Sequence, residues 1–326
     1  MTNKCLRHIL LIDVINVVTR KDAMNKRKSW SLLTLIMLIS MTMYILWPRT
    51  NQSKDVNSKR TTIIMGSKNF TESKIVMQIW ADALKKKGYR ISTKPNISSS
   101  VVYQAIKSGQ VDLYPEYTGT IATTYLKAHI VGKNAKEIAL VAQQGMKKQN
   151  LTTLAYAPAN DAQGIAIKTS VAKKYHIKNI SELQKRANKI RFVSQGEFDE
   201  REDGLPGLEK VYGKFNFKSH KVYDPSLKYQ ILAKNQGDIV PASTTEGQLA
   251  TGKYFALKDN KSFWPAYNLV PLIRTNTLKN NPGIEKILNE IDKKLTTREL
   301  RLLNKKVDVD GQSYQKVAQN WVRQNY

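Results

Sequence analysis

The sequence has little of what most catalytic and metal sites are built from. Its 326 residues include one cysteine, Cys5, and four histidines that lie far apart along the chain. A single cysteine excludes an intramolecular disulfide, and so few thiol and imidazole groups argue against cysteine–metal sites and most histidine-based catalysis. No cofactor is expected.

Enzyme signatures are also missing. The chain contains no G-x-G-x-x-G, G-x-x-x-x-G-K-[ST], H-E-x-x-H or G-x-S-x-G motif, so the common nucleotide, zinc-protease and serine-hydrolase sites are not indicated. Carboxylates do cluster, at Asp112 with Glu116 and in the segment 197–203, and a glycoside hydrolase uses such a pair. A charged surface turn explains that segment more simply, so no enzymatic activity is expected.

Acidic residues are few relative to basic ones. The chain has 26 Asp and Glu against 53 Lys and Arg, a formal net charge of +27, which favours anionic partners such as phospholipid, nucleic acid or a polyanionic cell wall. No stretch alternates basic residues with stacking aromatics, as nucleic-acid-binding surfaces do. A solvated basic surface is therefore favoured, and no nucleic-acid partner is expected. The alternative function for such a surface is that of a cell-wall interaction protein.

One long apolar run lies near the N-terminus. Residues 29–48 carry no charge, include Trp30 and Trp47 near their two ends, and follow a basic cluster at 26–28. This pattern predicts a transmembrane helix with residues 1–28 in the cytoplasm. No cysteine follows the run and no A-x-A-like site precedes its end, which favours an uncleaved membrane anchor over a signal peptide.

The segments that flank this run are assigned from their composition. Met24 immediately precedes the basic cluster and gives a more ordinary start than Met1, so residues 1–23 are interpreted as a gene-model extension. Residues 49–60 are polar, lack aliphatic periodicity and predict a linker. The folded, extracytoplasmic part is expected to begin near Thr61.

Strand and helix patterns alternate from Thr61 onward. Apolar runs of strand length, separated by amphipathic segments of helix length, form one set up to about residue 164 and a second set after it, followed by a helical tail. Residues 71–87 are predicted as a helix, and the strands predicted at 165–167 and 269–274 are followed by helices that begin at Ser181 and near Gly283. This spacing predicts α/β architecture with parallel sheets. The two sets predict two lobes with a cleft between them.

The strand at residues 111–120, VDLYPEYTGT, contains two tyrosines and two carboxylates and is expected to turn into a helix with a threonine hydroxyl as its N-cap. Tyrosine is also frequent: the chain has 15 tyrosines against 7 phenylalanines, and Tyr114, Tyr117, Tyr229 and Tyr267 fall at predicted element ends. Tyrosine faces attract a methylated ammonium, which cannot donate hydrogen bonds. An aromatic cage for such a cation is one interpretation; amphipathic residues at the core edge are the other.

Several motifs, taken together and in this order, carry a resemblance to a known family. They are GSKNFTE at 66–72, DLYPEYTGT at 112–120, REDG at 201–204 with GLEKVYG at 207–213, LKY at 227–229, and FWPAY at 263–267. The chain thus resembles the osmoprotectant-binding proteins of ABC importers, the glycine betaine, choline and carnitine family. The resemblance implies a two-lobed type II periplasmic-binding-protein fold that closes over its ligand, with residues 61–164 and 265–326 in one lobe and 165–264 in the other.

The resemblance also implies roles for individual residues. It implies an aromatic cage from Tyr117, Tyr229 and Tyr267, contacts to the ligand's polar end from Thr120 and from the backbone around Lys68 and Asn69, and pairing of a ligand carboxylate with Arg201. The implied partners are a quaternary-ammonium or betaine ligand, an ABC permease and a separate ATPase subunit.

Two positions depart from the family pattern. Gln163 and Ser243 stand where the family often has tyrosine. A cage short of two rings should hold a small trimethylammonium less tightly, because each desolvated cation–aromatic contact contributes roughly 1–2 kcal/mol. The two polar side chains suit a heterocyclic betaine or an amino-acid-like ligand instead, so both ligand classes stay open.

Overall fold

The computed structural model describes residues 62–130 and 132–326. The predicted cytoplasmic segment, the membrane anchor at 29–48 and the linker at 49–60 lie outside the described residues. Among the helices of the described ranges, none combines the length and the hydropathy that a membrane span needs.

The first sheet has the strand order β2-β1-β3-β10-β4. Its strands are β1 (Ile63–Lys68), β2 (Ile91–Ile97), β3 (Leu113–Tyr117), β4 (Leu151–Thr153) and β10 (Leu269–Arg274). Strand β1 pairs in parallel with β2 and β3, whereas β10 is antiparallel to both β3 and β4. The prediction of a parallel sheet is therefore wrong for β10, which enters from the second sheet without the crossover helix that imposes a parallel direction.

The second sheet has the order β7-β6-β8-β5-β9. Its strands are β5 (Gln163–Lys168), β6 (Arg191–Ser194), β7 (Ser219–Val222), β8 (Ile239–Ser243) and β9 (Tyr254–Ala256). Here β6 is parallel to β7 and β8, and β5 is antiparallel to β8 and β9. Both sheets are thus mixed. We use "first lobe" and "second lobe" for the predicted ranges 61–164 with 265–326 and 165–264, which carry the first and second sheets.

Helices cover both sheets. Those of the first lobe are α1 (Thr71–Lys86), α2 (Val102–Lys107), α3 (Thr118–Thr120), α4 (Ala135–Lys147), α10 (Thr275–Asn280), α11 (Gly283–Asp292), α12 (Thr297–Asp308) and α13 (Tyr314–Asn325). Those of the second lobe are α5 (Thr169–Tyr175), α6 (Ile180–Arg186), α7 (Glu197–Glu200), α8 (Leu205–Tyr212) and α9 (Lys228–Ala233). Separate clusters of buried apolar side chains pack against the two sheets.

Helix α1 is the central helix of the first lobe. It packs between strands β1–β3 and the C-terminal helices α11, α12 and α13. Its apolar residues recur at the spacing of a helix face and are fully buried, among them Ile75, Ile79 and Trp80. Because α1 joins the N-terminal strands to the C-terminal helices, it holds together the two chain segments that form this lobe.

Asp292, on α11, provides a test of this core. Its side chain is 1% exposed and accepts a hydrogen bond from Trp80 Nε1 at 2.8 Å, and burial raises its pKa well above the ordinary 3.8. A carboxyl with a raised folded-state pKa contributes stability that is fully present below its unfolded pKa and is lost as the pH rises. Asp292→Asn should therefore make the urea-unfolding free energy depend less on pH above 4 than it does in the wild type.

Asp292→Ala is the companion variant. It leaves Trp80 Nε1 without its acceptor, which should cost about 1–3 kcal/mol below pH 4, where the wild-type carboxyl is neutral. Equal pH slopes for the wild type and Asp292→Asn would contradict the protonation of this buried carboxyl.

Candidate functional site

Two connections between the sheets run side by side. The segment 154–162 leads from β4 to β5, and residues 257–268 lead from β9 to β10. Asn160 and Asn268 form an antiparallel bridge between them. The Asn160 side-chain oxygen also accepts from the Tyr267 backbone N–H at 2.7 Å, and the Asn268 amide donates to the carbonyls of Ala157 and Ala159 at 3.1 and 3.2 Å. The two connections are thereby tied to each other, and we call this pair the hinge after the predicted closure of the lobes.

A cavity of about 790 Å³ lies beside this hinge and is lined by both lobes. We call it the main cavity. Seven of the nine candidate site residues named from the sequence line it: Lys68, Tyr117, Thr120, Gln163, Arg201, Ser243 and Tyr267. Its volume is in the range of ordinary small-molecule sites.

Strand β3 supplies the first-lobe wall. Tyr117 ends the strand, 4% exposed, and its hydroxyl donates to Glu72 Oε1 at 2.7 Å. Phe70 stacks near it, with 6.2 Å between ring centroids, and the Lys68 ammonium lies 5.3 Å from the Tyr117 ring centroid. A protein cation therefore already contacts this ring. Lys68 itself is 4% exposed and paired with Glu116 at 2.5 Å, so its ammonium is not free to receive a ligand anion.

The turn after β3 differs from the expected capped helix. Tyr117 is the N-cap residue of α3, with no side-chain cap, and the chain continues as a π-helical turn at Ile121–Tyr125. The Thr118 hydroxyl instead accepts from the Asn268 backbone N–H at 3.1 Å. The prediction of a threonine cap is wrong because the adjacent connection between the lobes uses that hydroxyl.

Gly119 and Tyr267 are in close contact. A Cβ at Gly119 would lie 2.6 Å from Tyr267 Cδ1, so the ring packs directly on the glycine. The absence of a side chain at 119 lets this tyrosine lie against the wall formed by the β3 turn. Tyr117 and Tyr267 thus both reach the main cavity from the first lobe.

The two departures from the family pattern are neighbours. Gln163 and Ser243 are directly opposite each other on the antiparallel strands β5 and β8, and both line the main cavity. Side chains at such paired positions lie about 4.5–5.5 Å apart at Cβ. They therefore form one polar patch at the boundary between the two lobes.

Arg201 lies at the cavity but has a partner. Its guanidinium donates two hydrogen bonds to the Asp203 carboxylate, at 2.7 and 2.5 Å. A ligand carboxylate would compete with Asp203 for this fork. Arg201 is exposed, so its guanidinium is accessible to a ligand carboxylate.

Tyr229 and Asn69 lie elsewhere. The Tyr229 hydroxyl donates to Glu246 Oε2 at 2.5 Å, and its ring contacts Tyr254 and the Lys228 ammonium. Asn69 lines a different, adjoining cavity. Neither is among the described residues that line the main cavity, so their ligand roles stay predictions that require closure of the lobes.

Asp161 is the cavity residue that sequence reasoning missed. It lies on the first connection, lines the main cavity, and accepts a hydrogen bond from the Thr245 hydroxyl at 2.7 Å. The other lining carboxylates have basic partners, Asp203 with Arg201 and Glu202 with Lys210. Within the part of the chain that the structure describes, no ion pair involves Asp161, which distinguishes it from the other lining carboxylates.

Two carboxyl groups near this wall, those of Glu72 and Asp161, have raised pKa values. Burial, followed by the negative charge of Asp161, raises the pKa of Glu72 from 4.5 to about 8. Burial is also the main cause that raises the pKa of Asp161 from 3.8 to about 6. At pH 7 Asp161 is therefore mainly ionised and Glu72 mainly neutral.

Gly119→Ala tests the packing of Tyr267. Alanine normally favours a helix over glycine by about 1 kcal/mol, but here the added methyl would displace the ring, and overpacking of this kind costs about 1–3 kcal/mol. We expect net destabilisation in urea unfolding. Gly164→Ala is the matched control, because the nearest atom to its added Cβ would be the Ala242 carbonyl oxygen, at an ordinary contact distance of 3.5 Å. Equal losses in the two variants would contradict this packing.

The sequence is similar to a known protein family and to known proteins. The family described as "Substrate binding domain of ABC-type glycine betaine transport system" matches residues 61–324. The "Glycine-betaine-binding protein" of Pseudomonas aeruginosa is 29% identical over 276 residues, which are 81% of this chain and 88% of that protein. The "Ergothioneine transport permease/ergothioneine binding protein EgtU" of Helicobacter pylori is 29% identical over 262 residues, 80% of this chain and 47% of that protein.

A solved structure agrees with the fold. The crystal structure titled as a glycine betaine/carnitine/choline ABC transporter has a TM-score of 0.76 and 25% sequence identity, covering 80% of this chain and 98% of its own. The expected two-sheet α/β architecture is thereby confirmed. Because the family match spans residues 61–324, the chain belongs to the substrate-binding domains of ABC-type glycine betaine transport systems.

Proposed function

We propose that this protein is an extracytoplasmic receptor that encloses a quaternary-ammonium compatible solute, such as glycine betaine, choline or carnitine, and delivers it to an ABC permease. The predicted helix at 29–48 would anchor it in the cell membrane. A separate ATPase subunit would drive import. The relatives bind substrates for transport, which supports a role without catalysis.

One observation carries this proposal. Two tyrosine rings, Tyr117 and Tyr267, and the carboxylate Asp161 line the same cavity between the lobes. A trimethylammonium group is held by aromatic faces and by a nearby negative charge, and needs no hydrogen-bond acceptor. The cavity offers both, and its other lining carboxylates are paired with basic side chains.

The polar patch supports a second ligand class. Gln163 and Ser243 can each donate and accept hydrogen bonds, and they face each other across two strands. A betaine that carries a heterocycle or an amino-acid-like group would use them, whereas a bare trimethylammonium would not. The similarity to EgtU, whose name states ergothioneine binding, points in the same direction.

Tyr117→Ala tests the aromatic wall. Loss of one cation–aromatic contact of about 1–2 kcal/mol should weaken binding of glycine betaine, choline or carnitine by about 5- to 30-fold. Tyr117→Phe keeps the ring and removes only the hydroxyl that donates to Glu72, so it should lose less affinity than Tyr117→Ala. Isothermal titration calorimetry of the full chain in a nonionic detergent measures both affinities.

Tyr156→Ala is the control for this test, because Tyr156 is 36% exposed and is not among the lining residues of the main cavity. If Tyr117→Ala binds as tightly as Tyr156→Ala, the aromatic wall is wrongly assigned. No heat with any quaternary ammonium ligand, from folded protein, would refute the ligand class. Binding only to polyanions, lost at high salt, would favour the cell-wall alternative.

The double variant Gln163→Tyr, Ser243→Tyr separates the two ligand classes. Added rings should tighten choline binding, by up to about 5- to 30-fold per productive ring, and weaken a ligand that uses the polar patch. Competition between choline and ergothioneine in the wild type and the double variant measures the change in preference. An unchanged preference would show that the patch does not contact the ligand.

A further inference from the structure

Glu72 and Asp161 come together at the boundary of the lobes. Glu72 lies on α1 of the first lobe and is 3% exposed, and Asp161 lies on the first connection. Both line a second cavity, of about 400 Å³, which shares Phe70, Asp161 and Ser243 with the main cavity. The second cavity is therefore a side chamber of the main one.

Neutral hydrogen-bond donors connect the two carboxylates. The Tyr117 hydroxyl donates to Glu72 Oε1 at 2.7 Å, and the Asn304 amide donates at 2.9 Å both to Glu72 Oε2 and to the Thr245 carbonyl. The Thr245 hydroxyl donates to Asp161 at 2.7 Å. Among the described residues no cation forms an ion pair with either carboxylate, although the Lys68 ammonium favours the charged form of Asp161 from a greater distance.

The other charged residues that line the side chamber are also acidic. Glu246 and Asp308 also line the side chamber, and no Lys, Arg or His is among its described lining residues. Glu246 is paired with Lys228, while Asp308 accepts from the Thr71 hydroxyl. Of the nearby cations, Lys68 is paired with Glu116 and also favours the charged form of Asp161, which Glu246 opposes, and Lys74 acts on Asp308. A buried pair of carboxylates with this surplus of negative charge retains a proton.

We propose that Glu72 and Asp161 share one proton in the ligand-free protein, and that a cationic group bound beside Asp161 drives this proton into solvent. This inference rests on the proposed function, because it requires a cationic group in the main cavity. The O–H bond of the Glu72 carboxyl breaks, the proton goes to water and buffer, and Glu72 becomes a carboxylate that the Tyr117 and Asn304 donors stabilise. Glu72 is thus a positioning residue that acts on the ligand through Tyr117 and Asp161.

The consequence is pH-dependent affinity. Glu72 has a pKa of about 8 and Asp161 of about 6 without ligand, so the pair holds its proton through this interval. Since binding releases the proton, affinity should rise with pH between 6 and 8, by up to about tenfold per pH unit. Below pH 6 the affinity should fall further, because Asp161 itself becomes neutral.

Proton release can be measured directly. The full chain in a nonionic detergent is titrated with glycine betaine and with choline at pH 7, in phosphate and in Tris, whose heats of ionisation differ. The apparent binding heats should differ by an amount that corresponds to release of up to one proton. Equal heats in the two buffers, with binding observed, would overturn the proposal, whereas no binding at all would refute the proposed function instead.

Glu72→Gln is the decisive variant, since it mimics the neutral carboxyl in size and hydrogen bonding. Binding by this variant should release no proton through the pair, and the rise of affinity between pH 6 and 8 should be lost. Asp292→Asn is the matched control: it removes another buried carboxyl with a raised pKa, remote from the lining of both cavities. It should release as many protons on binding as the wild type.

The shared proton can also be tested without a ligand, through the pH dependence of unfolding in urea. The folded-state pKa of Glu72 is raised from 4.5 to about 8, so its contribution to stability is complete below pH 4.5 and is lost as the pH rises through 8. The urea midpoint of the wild type should fall over this interval more steeply than that of Glu72→Gln. Parallel profiles would overturn the shared proton, whatever the ligand proves to be.

Discussion

A single buried carboxylate, Glu116, holds the ligand-facing wall of the first lobe together. It is fully buried and accepts hydrogen bonds from the Lys68 ammonium at 2.5 Å, the Tyr117 backbone N–H at 2.9 Å, and the hydroxyls of Tyr114 and Tyr125 at 3.0 and 2.7 Å. These donors come from the end of β1, from β3 and from the π-helical turn. Breaking a buried ion pair by removing one partner costs about 3–5 kcal/mol, so the wall depends on this group.

The charge pattern of the cleft follows from that arrangement. Lys68 is neutralised from within the protein, and Arg201 is held by Asp203. Asp161 is left without an ion-pair partner among the described residues, while its neighbour Glu72 meets only neutral donors. A cation bound beside the tyrosine rings, as proposed above, would offset the charge of Asp161.

Much of the fold could be predicted from local patterns. Strand β10 was expected at 269–274 and is found there, and α1 differs from its prediction only at its last residue, because both are long apolar segments with clear periodicity. Helices α5 and α10 were not predicted; each has seven residues or fewer and a weak pattern. The direction of β10 could not be predicted either, since it depends on how the chain returns from the second sheet.

The site was less predictable, because it is formed by residues distant in sequence. The motif at 112–120 indicated the wall, yet nothing local showed that Gly119 receives the Tyr267 ring or that Asp161 is the unpaired carboxylate. Gln163 and Ser243 were identified as two separate departures, and only strand pairing joins them into one patch. Long-range contacts of this kind are set by topology rather than by local propensity.

The central claim is that a quaternary ammonium ligand is enclosed between the lobes at this wall. A crystal structure of the protein grown with glycine betaine tests it most directly. The account predicts a trimethylammonium group in the main cavity, within about 6 Å of the ring centroids of Tyr117 and Tyr267, with Asp161 on the same side. Glycine betaine bound outside this cavity, or a cavity that stays empty at saturating ligand, would contradict it.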